Sequence, residues 1–420
     1  MHIVFIVGSY YPYYSAVGKC VGNVADELCK ENRVTIICEK NFNNQNDNEK
    51  FNNQYIIRVN TKENFIRNRL AEKIHKANSF NKKIYKLILI TFKLFIILKG
   101  IFSENSVKKN LVKEYLKAIE NIDEQIDVIC PACMPFESIV AASIFKEKNN
   151  DKLKIIPYLF DQFSESQTIY RVGFNKLLKQ KKNIEIEKKV FKNCYAILAM
   201  HSLRNHFNKY LEDIRNVRYV EHPLLIRSNT KIEEINNKSI IISYVGGLYK
   251  GYVEADYFLE VYKNIKLENC ILNFYVIGNC LKIIDKYEKL LPQKIINHGS
   301  VVKEIANKAI SQSDILISIA EKKGIQMSSK IFEYISNGKP IIHFYTVDND
   351  VNLKILCKYP LSLCLKQDYQ LLEDNIKKFN EFCKINFDKR IDFKEVEEIF
   401  DDAIPRYTAN IISNYFNKLD

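Results

Sequence analysis

No apolar run in this 420-residue chain is long and uninterrupted enough to span a bilayer comfortably. The longest, 87–98, is broken by Thr91 and Lys93. Residues 1–7, MHIVFIV, lack a basic start and a cleavage site, so they read as a first strand and not as a secretory signal. The eleven cysteines have no regular spacing. The one C-x-x-C pair, Cys130 and Cys133, has no second pair and no nearby histidine. Packing near a strand end is therefore expected of it, in place of a zinc or redox role. An odd number of scattered cysteines points to a reducing cytosol. No zinc-finger, RNP or helix-turn-helix signature occurs, which argues against nucleic acid as the reason for a net charge of +13. No repeat period is present. Glycine (12) and proline (9) are scarce, so where each stands matters more than how many there are.

The length favours two domains. The charge is concentrated: residues 62–118 hold 14 Lys/Arg against 4 Glu, a local +10 that leaves +3 for the rest. Inside that block, Lys82, Lys83, Lys86 and Lys93 fall on one helical face, and most of the remaining circumference is apolar. Such a segment, 82–99, suits an anionic membrane surface. It equally suits a helix packed on its own domain with a solvated lysine edge.

Strand and helix patterns alternate along both halves. Strands are expected at 3–7, 34–38, 55–59, 128–130, 155–160 and 196–200, with helices at 21–30, 111–122, 138–146 and 177–191. The Asn-rich stretch 41–54 reads as a surface loop, and 221–238 as a connector. The pattern then restarts, with strands at 240–245, 272–277, 295–298, 315–319 and 340–345 and helices between them. This is α/β: two doubly wound Rossmann-like domains, at 1–225 and 238–392, then a helical tail, 393–420. Gly8, Gly246, Gly247, Gly278 and Gly299 each follow a strand, where ligands bind in open parallel sheets.

Residues 314–344 carry the most chemistry. A buried strand runs into a loop, then Ser328 and Ser329 precede a short helix stopped by Asn337-Gly338. A helix start capped by Ser329 presents N–H groups and positive dipole potential to a phosphate, and Lys330 adds a full charge. Glu333 could accept hydrogen bonds from sugar hydroxyls. In purely structural terms, Ser329 caps the helix and Glu333 forms an out-of-register capping box. In the first half, Asp161 follows a strand and could orient or deprotonate a hydroxyl; His201 and His206 are weaker candidates. Asp348-Asn349-Asp350 has the D-x-D form that holds divalent ions elsewhere, but its turn-prone setting makes it incidental, and no metal is expected.

Four segments together resemble the GT-B glycosyltransferases, most closely the retaining family 4 enzymes of bacterial polysaccharide assembly. They are Tyr11-Pro12 through Gly18, IISYVGGLYKG at 241–251, 272–278, and 314–344. The resemblance implies an acceptor-binding first domain, a nucleotide-sugar-binding second domain facing it across a cleft, and a tail returning to the first. It implies donor binding by Gly247, Lys250, Gly278, Ser329, Lys330 and Glu333 and an acceptor loop at Gly18; catalytic roles are expected of Asp161 and Lys330 from their positions and charge. The partners implied are a nucleotide-diphospho-sugar and a glycan or lipid-linked glycan acceptor, with a cytoplasmic enzyme on the inner membrane face. The sequence departs from the family at Ile325, where a glutamate is usual and Glu321 is nearest. It also departs at Gly247, often Arg, and at Ser328, often Pro. A sugar-nucleotide epimerase of the same architecture is the alternative.

Overall fold

Strand β1 (His2–Ser9) is buried at six successive positions, His2 to Val7, which only a parallel sheet covered on both faces can accommodate. A computed structural model describes residues 1–149, 152–170, 173–227, 239–325 and 327–417. It divides into two units, Met1–Pro223 with Pro405–Asp420, and Leu224–Ile404.

The first unit contains β1, β2 (Arg33–Glu39), β3 (Asn48–Phe51), β4 (Gln54–Val59), β5 (Val128–Cys133), β6 (Lys154–Ile155), β7 (Tyr158–Leu159), β8 (Ile197–Met200) and β9 (Val217–Val220). Their order is β3-β4-β2-β1-β5-β7-β8-β9, with β6 also on β5; β3 is antiparallel and every other pairing parallel. Two expectations change here. The polar stretch 41–54 is no plain loop: Asn52 and Asn53, at φ +47° and +64°, make a two-residue hairpin between β3 and β4. The single strand expected at 155–160 is two short ones, broken at Pro157, which has no N–H to give a ladder. Cys130 and Cys133 are buried in β5, and burial pushes both thiols well up, against a redox or metal role. All eleven cysteines are free thiols.

The second unit is a six-stranded parallel sheet of β10 (Ile240–Leu248), β11 (Cys270–Gly278), β12 (Ile295–Gly299), β13 (Ile315–Ile319), β14 (Ile341–Tyr345) and β15 (Ser362–Lys366), in the order β12-β11-β10-β13-β14-β15. Its core joins Phe258, Phe274 and Phe344 with the Ile and Leu of the inner strands. The expected connector lies mostly outside the described residues, at 228–238. The tail is not one element: Phe393–Ile399 belongs to the second unit, and only the helix Pro405–Asn417 returns to the first, against the helix Ala16–Leu28. Proline suits that helix's first position, where an N–H has no partner to lose.

The helix Ser79–Ile101 carries the basic segment. None of its residues is buried. Among the described residues no helix is long and apolar enough to cross a membrane.

Candidate functional site

In the second unit β10 has β11 on one side and β13 on the other, so the chain reverses its winding direction there. The crevice beyond the carboxyl ends of strands at such a point is where open α/β sheets bind ligands. The loops leaving β10, β11 and β13 are stitched together. Asn279 N donates to Leu248 O at 3.1 Å, and Lys250 N donates to Asn279 Oδ1 at 2.9 Å. Lys322 N donates to Tyr252 O at 2.9 Å, while the Lys322 ammonium meets Glu254 Oε2 at 2.5 Å. The helix Ser329–Ile335 is tied to the same place by buried Tyr334, whose hydroxyl donates to Val245 O at 3.1 Å, just before Gly246-Gly247. Gly247, Lys250, Gly278, Lys330 and Glu333 thus share one edge of one sheet.

Within that edge the structure revises several assignments. The helix is capped at Ser328, not Ser329, and Ser328 makes no side-chain capping bond. Its backbone N–H is held instead by Asn352 Oδ1 at 2.8 Å. The side chain of Ser329 lies outside the described residues. Lys330 and Glu333 are partners of each other, Nζ to Oε2 at 2.8 Å. Glu321 does not stand in for a sugar-facing carboxylate at 325. It is buried and turned onto its own loop, accepting from Lys323 N at 2.8 Å and Ile325 N at 2.6 Å. The D-x-D carboxylates diverge: Asp348 meets Lys366 at 2.9 Å in solvent, and Asp350 is buried. Among the described residues no group of three or more His, Cys, Asp and Glu could hold a metal.

In the first unit Gly18 stands in the first turn of the helix Ala16–Leu28, not on the preceding loop. A side chain there would meet Ser9 O at 2.2 Å, so the glycine serves the close packing of helix on strand end. Asp161 follows β7 and is exposed. Surrounding protein nonetheless raises the pKa of its carboxyl, and the charge of His222 opposes that rise. His222 itself was not foreseen. It follows β9, and Glu221 Oε1 accepts from its backbone N–H at 2.8 Å and from its ring Nδ1 at 2.7 Å. Burial pushes the Glu221 pKa up, but hydrogen bonds and charge from His222 carry it below the ordinary range. A carboxylate on Nδ1 leaves Nε2 as the basic nitrogen of the neutral ring. The local sequence signal was Glu-His directly after a strand, hidden because 221–238 looked like a linker.

His206 serves the scaffold. It is buried, with Nε2 3.2 Å from Glu187 Oε2 and Nδ1 3.3 Å from Glu165 Oε2. Burial opposes its charge, but the two glutamates outweigh burial and its pKa is raised from 6.5. Desolvation likewise pushes Glu165 up, yet Tyr210 and His206 bring it below 4.5. The histidine's contribution is complete below about pH 6.5 and fades as pH rises through its raised folded value. The contribution of Glu165 is complete above about pH 4.5 and fades as pH falls through its lowered value. The stability gap between wild type and His206→Gln in urea is therefore expected to be widest between about pH 5 and 6 and to narrow on the alkaline side. Equal gaps at about pH 5.5 and 9 would show that the buried ring carries no charge.

No family model matches the sequence, and no curated protein matches it. Solved structures do match in three dimensions. A sucrose-phosphate synthase from Thermosynechococcus elongatus aligns over 100% of this chain and 98% of its own, with TM-score 0.59 and 11% identity. The lipopolysaccharide outer core galactosyltransferase WaaB, in its apo form, aligns over 100% of both chains with TM-score 0.57 and 10% identity. The chain has the GT-B glycosyltransferase fold. Anabaena HepE, solved with UDP and glucose, gives the same TM-score, 0.57, over 100% of both chains at 10% identity. Identity this low carries the GT-B architecture; substrate choice rests on individual side chains.

Proposed function

We propose that this GT-B protein transfers a sugar from a nucleotide-diphospho-sugar to a glycan or lipid-linked glycan acceptor in cell-surface polysaccharide assembly, with retention and without a metal. The observation that carries the reading is the convergence of Gly247, Lys250, Gly278, Lys330 and Glu333 at the switch point of the second sheet. HepE, of the same fold, was solved with UDP and glucose. As the sugar departs, charge develops on the diphosphate, and preorganised cations stabilise it. Lys250, Lys330 and the backbone at Ser329 supply that in our reading. The Lys330–Glu333 pair is partly exposed and spaced i,i+3. Such pairs contribute only about 0.3–0.5 kcal/mol, so handing Lys330 to a diphosphate costs little and frees Glu333 for sugar hydroxyls. In our reading, Asp161 and His222 of the first unit meet the acceptor hydroxyl. The apolar and basic surface of the helix Ser79–Ile101 suits an enzyme working at the inner face of the cytoplasmic membrane.

A thermal-shift screen with UDP, GDP, ADP, dTDP and CMP tests the donor site; a ligand at a hundred times its dissociation constant stabilises by about 2.7 kcal/mol. Lys330→Ala is expected to weaken the preferred diphosphate by about 2 kcal/mol, near thirtyfold by calorimetric titration, with the fold intact. Unchanged affinity in the folded variant would remove Lys330 from the site.

A further inference from the structure

Beneath the loop that leaves β13 lies a buried polar shell which the donor site does not use directly. His343, in β14, is fully buried, and its Nδ1 lies 3.0 Å from Ser318 Oγ. Its Nε2 faces Asp350 Oδ1 at 3.8 Å, too far for a hydrogen bond. Neither His343 Nε2 nor Asp350 Oδ2 has a hydrogen-bond partner among the described residues. Asp350 Oδ1 accepts two bonds from Asn352, from the backbone N–H and from Nδ2, both at 2.8 Å. Asn352 is also buried, and its Oδ1 takes the Ser328 N–H at 2.8 Å. Val351 N donates to Gly324 O at 2.9 Å, so the loop after β14 holds the loop after β13 at two points. An apolar filling would avoid burying a carboxylate with an orphaned oxygen, so this arrangement calls for a reason.

We propose that Asp350 and Asn352 are positioning residues for the nucleotide-diphosphate site. Asp350 fixes which way the Asn352 amide points. The amide oxygen then sets the entry of the helix that carries Lys330 and Glu333. This inference rests on the functional reading above. It also gives the second carboxylate of the D-x-D triplet a role that needs no ion.

The hydrogen-bond polarity supplies the test. Asn352→Asp puts a carboxylate against that of Asp350 and loses the Nδ2 donor. The swap Asp350→Asn with Asn352→Asp leaves one carboxylate and restores a donor: the amide at 350 donates from Nδ2 to the carboxylate at 352 and accepts at Oδ1 from the backbone N–H of 352, and the carboxylate at 352 still accepts from Ser328. Two quantities are read on the full chain: hydrogen exchange of peptides spanning 327–335, and the dissociation constants for UDP, GDP, ADP and dTDP by calorimetry. Asn352→Asp should speed exchange and raise the dissociation constant by about tenfold or more, and the double variant should recover both. A purely structural role would lower the melting temperature and leave affinity alone, which would overturn the proposal. So would a double variant no better than Asn352→Asp. Wild type that binds none of UDP, GDP, ADP and dTDP would refute the functional reading at the outset, before any variant is compared, and this inference with it.

Discussion

Changing Lys82, Lys83, Lys86 and Lys93 together to Gln should release this protein from anionic vesicles while leaving nucleotide binding intact. The helix Ser79–Ile101 has no buried residue, so its apolar side is not covered by the first unit's own core. Phe95 is 63% exposed, Leu98 52% and Phe102 84%. A second helix, Gly173–Lys192, joins this surface: Lys179 Nζ donates to Ser103 Oγ at 2.9 Å, and Lys182 meets Glu104 at 2.9 Å. It adds Leu177, 82% exposed, and Phe174. Each lysine near an anionic surface contributes about 1 kcal/mol, so four removed charges correspond to roughly a thousandfold in partitioning. Apolar insertion is the second component. Leu94, Phe95 and Leu98 changed to Ser should weaken binding at high salt, where the lysines are screened. Wild type that ignores phosphatidylglycerol vesicles even at low salt would leave this surface without a membrane role.

The elements that were legible in the sequence are those written in local pattern. The strands at 240–245, 315–319 and 340–345 are short buried runs ended by glycine, loop or turn, and the structure has them within a residue or a few. The basic helix was equally legible, since lysine spacing is a local property. What escaped depends on residues far apart in the chain. That Glu321 turns inward, that Asn352 reaches Ser328, and that Asp348 and Asp350 part company are all consequences of how the loops stack beyond the sheet. Periodicity says nothing about such contacts. The Glu221–His222 pair escaped for another reason: its strand, β9, is only four residues long and three of the four are exposed or intermediate, too weak a signal to mark the next residue as a strand-end position. The Asn52-Asn53 hairpin was readable from turn chemistry, but the surrounding polarity pointed to a loop.

Gly278→Ala is expected to be the most damaging single methyl group in the second unit. Gly278 has φ +133°, which side-chain-bearing residues rarely adopt, and a Cβ there would lie 1.9 Å from Leu248 O. That oxygen belongs to the backbone of the adjacent strand, so it has no rotamer by which to move aside. It also accepts from Asn279 N, and Asn279 in turn holds Lys250 N. Relief of the clash must shift the loop that presents Lys250. Backbone strain of about 1–3 kcal/mol and overpacking of similar size together give roughly 3–5 kcal/mol, with loss of diphosphate binding. Gly299→Ala is the matched control. Its φ, +66°, is also positive, but a Cβ there meets nothing within 4 Å. It should cost about 1–2 kcal/mol and leave binding unchanged. Urea unfolding and UDP titration of the two variants separate backbone conformation from the clash. Equal losses in both would mean that the Leu248 contact is not what makes Gly278 necessary, and would detach this strand end from the donor site.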